Sequence, residues 1–136
     1  MAASGRPTDE QVNVFEVDET YLFKHYFDGD DVFGRLRQFY NQHQYRFEVP
    51  PDEFDDLRAF LADHGYELVV AEPIVKYVVV VEQYTAHPES IFEDSVMQRT
   101  SDQYNCFLLT DQYAVAGAVA EGATRLSDTD LSNPFQ

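Results

Sequence analysis

The stretch Gln44 to Leu61, QYRFEVPPDEFDDLRAFL, changes its apolar period halfway along, and that change decides the fold class. From Gln44 to Val49 the residues alternate, with Tyr45, Phe47 and Val49 on one side and Gln44, Arg46 and Glu48 on the other. This is the pattern of a half-buried strand. Pro50-Pro51 ends it, because proline donates no ladder hydrogen bond. Phe54, Leu57, Phe60 and Leu61 then recur at the helical period. Asp52, Glu53, Asp55 and Asp56 crowd the start of this helix, where the positive end of its dipole favours acids, and Gly65 closes it.

Downstream, Tyr66 to Ala71 and Ile74 to Tyr84 are rich in valine, and Val78-Val79-Val80-Val81 shows no polar alternation. Such a strand lies mid-sheet or is covered on both faces. Ser95 to Thr100 and Gln103 to Thr110 read as two strands joined at Ser101-Asp102. Asp111 caps a last helix over 112–121, with Ala114, Gly117, Ala118 and Glu121 on one side and Gly122 as its stop. Upstream, Val12 to Val17 and Thr20 to Phe27 read as strands, with Asp18-Glu19 a turn or bulge between them. Val32, Phe33, Leu36, Phe39, Tyr40 and His43 predict a helix over 31–42. Asp28-Gly29-Asp30-Asp31 opens like a calcium loop, but Phe33 and Phe39 stand where that loop needs its glycine and closing glutamate.

The order β-α-β-α-β-β-β-β-α predicts an α+β fold, a two-layer sandwich whose mixed, mostly antiparallel sheet carries about three helices on one face. A ferredoxin-like core has such a layout, an analogy of fold that carries no function. One domain is expected over 12–126, with a flexible tail at 1–11 and a polar tail at 127–136.

Charge is the other strong feature. Twenty-five acids face nine Lys and Arg, for a net charge of -16. Disorder is excluded by the 44% hydrophobic content, and the carboxylates are scattered rather than set in the rows of a nucleic-acid mimic. So much like charge opposes compactness unless salt screens it. In composition the chain resembles proteins of salt-in halophilic archaea, which implies a salt-adapted, archaeal-type setting. Cys106 stands alone and the first residues lack a signal-like apolar stretch, so the expected location is cytoplasmic. The longest apolar run is far short of a membrane span, and no membrane partner is expected.

Little in the sequence points to chemistry. His25, His43, His64 and His87 are too far apart in sequence to chelate as a local pair, so no metal is expected, and no motif calls for a cofactor. His43 and His64 close predicted helices, and Cys106 reads as a small core residue. Two constellations remain. Tyr21 to Phe47 holds Lys24, Arg35, Arg37 and Arg46 among nine aromatics, the mixture that single-stranded nucleic acid requires. The second follows the valine strand, where Glu82, Tyr84, His87 and Glu89, with Arg99 returned by the hairpin, suggest a small-molecule site. There His87 would be the general base and Glu82 or Glu89 its orienting carboxylate. The favoured expectation is a non-catalytic binding or regulatory module that self-associates, because long apolar strands and a small-residue helix face need cover.

Overall fold

The computed structural model describes residues 10–135. The α+β class holds, but the elements form two sheets instead of one. Two compact units result, one ending at Ala71 and the other starting at Glu72.

In the first unit the strands are β1 (Glu10–Val17), β2 (Thr20–Phe23), β3 (Tyr40–Asn41), β4 (Arg46–Val49) and β5 (Tyr66–Val70), in the order β3-β4-β2-β1-β5. Only β5 runs parallel to its neighbour, β1. Helices α1 (Asp30–Leu36) and α2 (Pro51–Ala62) bury Val32, Leu36, Phe54, Leu57 and Leu61 in one cluster with Val12, Val14, Phe23, Phe47, Val49 and Leu68. Each large side chain removed from water there is worth roughly 2 kcal/mol before entropy is counted. The strand and helix expected within Gln44 to Leu61 are both present, and His64 closes α2 as expected, its Nδ1 2.9 Å from the Phe60 carbonyl.

The helix expected over 31–42 is shorter. After Leu36 the chain tightens into a 3-10 turn, Arg37–Phe39, which turns Phe39 into the core. Tyr40 and Asn41 then pair with Phe47 and Arg46. Asn41 Oδ1 accepts from the amides of His43 and Gln44, so His43 lies in a hairpin turn and caps no helix. Tyr45, expected in the strand, has φ 57 and is exposed. The strand expected to reach Phe27 stops at Phe23, because Phe27 and His25 turn their rings edge-on to Tyr66.

Asp18 and Glu19 make the two-residue hairpin turn between β1 and β2, both at positive φ (52 and 63). That conformation costs a side-chain-bearing residue roughly 1–2 kcal/mol, partly offset when glycine brings its own entropy cost. Glu19→Gly is expected to stabilise the protein by about 0.5–1 kcal/mol in urea unfolding. A lowered midpoint would show that the Glu19 side chain contributes more than the strain.

The second unit holds β6 (Val78–Glu82), α3 (Ile91–Asp94), β7 (Ser95–Ser101), β8 (Tyr104–Leu109), α4 (Gln112–Ala120) and β9 (Thr124–Arg125). Its sheet is antiparallel, in the order β7-β8-β6-β9. The valine strand is central, and Val78 through Val81 are all buried. Its second neighbour, β9, is two residues long and escaped the sequence reading, as did the one-turn helix α3. Val79, Val81, Phe107 and Leu109 pack with Ile91, Ala114, Val115 and Ala118 of the helices. The polar tail expected at 127–136 is more than a tail, since a 3-10 turn runs from Leu126 to Asp128 and Phe135 is fully buried. Of the N-terminal tail expected at 1–11, residues 1–9 lie outside the described residues and Glu10 and Gln11 begin β1.

Candidate functional site

His87 stands after β6, beyond the turn at Tyr84 and Thr85 in which the Thr85 hydroxyl donates to the Glu82 carbonyl. Its Nδ1 lies 2.8 Å from the Thr85 carbonyl, so that nitrogen carries the proton and donates. Nε2 lies 3.2 Å from Asn105 Nδ2 and therefore accepts. Asn105 is itself oriented, its Oδ1 accepting from the Thr100 hydroxyl. The ring stacks on Phe92 and meets Phe107 edge-on, both at 5.8 Å. With both nitrogens hydrogen-bonded within the chain and the ring stacked on Phe92, His87 is held as a structural wedge and offers a substrate no free ring nitrogen.

The other members of the constellation do not gather around it. Tyr84 is 99% exposed at a turn tip with φ 64. Glu89 is tied through its amide to Glu121 Oε1 at 3.5 Å. Arg99 donates to the Pro134 carbonyl at 2.6 Å and lies over the Phe135 ring, which draws the C-terminal segment onto β7. Glu82 lines a depression of about 530 Å³ with Val80, Thr85, Tyr104, Thr124 and Asp130. His87 is not among its walls. Its carboxylates and hydroxyls can bind a ligand by hydrogen bonds, and no histidine or cysteine stands among its walls. Cys106 is buried on the central strand pair, and burial pushes its thiol above the ordinary value, which keeps it protonated and unreactive. Among the described residues, no three His, Cys, Asp or Glu side chains are grouped to hold a metal.

Because its two nitrogens and its ring face are all engaged, His87 should matter for stability more than a surface turn residue would. His87→Ala is expected to cost about 1–2 kcal/mol by urea unfolding. A loss below about 0.5 kcal/mol would return it to the class of exposed turn residues.

The basic segment is also dispersed. Arg35 lies over Phe39 and Arg37 over Phe33, each a contact one helical turn apart at 5.7 Å. Positions two apart on a helix do not face each other, so the two guanidinium groups occupy different flanks of α1 and its following turn. Arg46 points from the other side of β4 from Phe47 and pairs with Glu48 at 2.8 Å. Lys24 has a partner of its own. Of the nine aromatics, Phe23, Phe27, Phe39 and Phe47 are core, and Tyr21 stacks on Phe54 at 4.0 Å. Tyr26, Phe33, Tyr40 and Tyr45 are exposed. The four cations therefore form no continuous track for a phosphate backbone.

Sequence reading picked out a small-residue side of α4 as needing cover, but not which of its residues turn outward. Asp111 Oδ1 accepts from the Ala114 amide at 2.8 Å and sets the helix in phase. Ala114, Val115 and Ala118 then face the sheet, and Gly117, expected on that side, turns outward with Tyr113, Ala116 and Ala120. Gln112–Ala120 contains no charged residue, and Tyr113 is 90% exposed. A helix apolar on every side is ordinarily buried. The signal was in the sequence, as a nine-residue uncharged run in a chain of net charge -16.

Among the described residues no helix is long and apolar enough to cross a membrane. No protein-family model, curated protein or solved structure matches the chain.

Proposed function

We propose that the protein is a non-catalytic binding module that associates with a second copy of itself and works in a salt-rich cytoplasm. The observation that carries this reading is the outward side of α4, an uncharged surface on an otherwise acidic molecule. Between two chains of net charge -16, approach is least opposed where neither carries charge. The occupied nitrogens of His87 favour binding over catalysis.

Sedimentation equilibrium across a range of protein concentration, at low and at molar KCl, tests the proposal. Association should strengthen with salt, because screening removes repulsion between like-charged partners while apolar contact persists. A monomer at every concentration and salt level would end this reading.

A further inference from the structure

The depression that Glu82 lines is built on one face of the second sheet, and the register says which. Residues opposite each other in neighbouring strands share a face. Val80 stands opposite Cys106 and Thr124, Glu82 opposite Tyr104, and Arg99 opposite Cys106. These side chains therefore lie on the face turned away from Val79, Val81 and Phe107, which pack with the helices. The C-terminal segment crosses the same face. Arg99 donates to the Pro134 carbonyl at 2.6 Å and lies over the fully buried Phe135 ring, and upstream Asp130 and Leu131 make the outer wall of the depression. The backbone adds a donor. The Gln83 amide donates to the Gln103 carbonyl at 2.9 Å, and in an antiparallel ladder successive residues turn their backbone groups to alternate sides. Val80 and Glu82 therefore turn theirs toward β9. That strand begins at Thr124, opposite Val80, so the Glu82 amide has no strand to meet. The Glu82 carbonyl accepts from the Thr85 hydroxyl, and the amide N–H is left facing the depression.

We propose that this depression binds a neutral polyhydroxylated ligand with the size and chemistry of a single sugar ring. Such a site is independent of the self-association proposed above. No Lys, Arg or His stands in its walls, so it offers no cation to a phosphate or a carboxylate. Its acceptors are the carboxylates of Glu82 and Asp130, and its donors are the Glu82 amide and the hydroxyls that Tyr104 and Thr124 bring. An organic ammonium would satisfy the acceptors and leave the donors unmatched. Each hydroxyl of a sugar both donates and accepts, and so meets both sets. Val80, Ala86 and Leu131 give its C–H faces an apolar surface. The volume of about 530 Å³ lies within the range of about 300–1,000 Å³ usual for small-molecule sites.

Titration of the full chain with glucose, galactose and myo-inositol, followed through its backbone amides by NMR, is the test. At least one of these polyols is expected to shift the amides of Glu82, Gly122, Thr124 and Leu131 in a saturable way. Because the ligand is neutral, its Kd should change less than about twofold between low and molar KCl. Glu82 and Asp130 are exposed, so Glu82→Ala and Asp130→Ala should fold, which circular dichroism verifies. Each should raise the Kd at least about tenfold, as loss of a hydrogen bond to a charged group does. Asp55→Ala, on α2 and outside the site, should leave it unchanged. Absence of a saturable shift with any of the three polyols overturns the proposal, as does binding that survives both substitutions. If instead putrescine saturates the same amides at low salt and loses them at molar KCl while the polyols do nothing, the depression is a cation site and the polyol assignment falls.

Discussion

At molar KCl the protein is expected to unfold at least about 3–4 °C higher than at low salt, the shift that roughly 1 kcal/mol gives a chain of this size. The ground is the placement of its acids. No described charged residue is buried, so the carboxylates lie on or near the surface. Nine Lys and Arg can neutralise only a minority of the twenty-five acids, as Arg46 does for Glu48 at 2.8 Å. In dilute buffer, with a Debye length of roughly 10 Å, neighbouring carboxylates repel, and at molar salt the length falls to roughly 3 Å. Unfolding relieves that repulsion, so screening favours the folded chain. The first turns of α2 concentrate the effect, with exposed Asp52, Asp55 and Asp56 beside Glu53. Asp56→Lys is expected to stabilise at low salt by roughly 0.5 kcal/mol, and to lose most of that gain at molar KCl. Thermal unfolding followed by circular dichroism checks both. A midpoint that stays flat across the range would remove salt adaptation as the reason for the composition.

The parts of the fold legible in sequence were those where one residue set a local rule. Pro50-Pro51 marked the passage from β4 to α2, Asp111 the start of α4, and the four valines the central strand, because each acts within one turn or one strand of itself. What failed depended on contacts distant in sequence. The apolar residues from Val32 to Tyr40 fit a helix to its end, yet Tyr40 and Asn41 pair with β4. The division into two sheets was hidden similarly, since β5 joins β1 in parallel after a gap of some fifty residues and nothing in Tyr66–Val70 announces its neighbour. At the candidate sites, spacing placed His87 among acids. Its bonds to Thr85 and Asn105 depended on a turn and a hairpin register that composition does not encode. The outward turn of Gly117 was recoverable, because Ala114, Val115 and Ala118 share one face when the helix is counted from its cap.

Phe107→Ala is expected to cost the protein about 3–5 kcal/mol, a large part of the 5–15 kcal/mol by which domains are ordinarily stable. Phe107 is fully buried on β8, between β7 and β6, in one core cluster with Val79, Val81, Ile91, Leu109 and Val115. It also receives the edges of Phe92 and His87 at 5.4 and 5.8 Å. Truncation leaves a cavity under α3 and α4 that neighbours held by the central sheet cannot close, so the cavity cost adds to the lost transfer energy. Phe107→Leu, which keeps most of the volume, should cost about 1.5 kcal/mol or less. Because Phe107 and His87 touch, their effects should not add. The double variant Phe107→Ala with His87→Ala should lose at least about 0.5 kcal/mol less than the sum of the single losses, since each removes the other's partner. Urea unfolding followed by tyrosine fluorescence at fixed molar KCl measures all four chains. Additive losses would mean that His87 gains nothing from the Phe107 ring and is held by its hydrogen bonds to Thr85 and Asn105 alone.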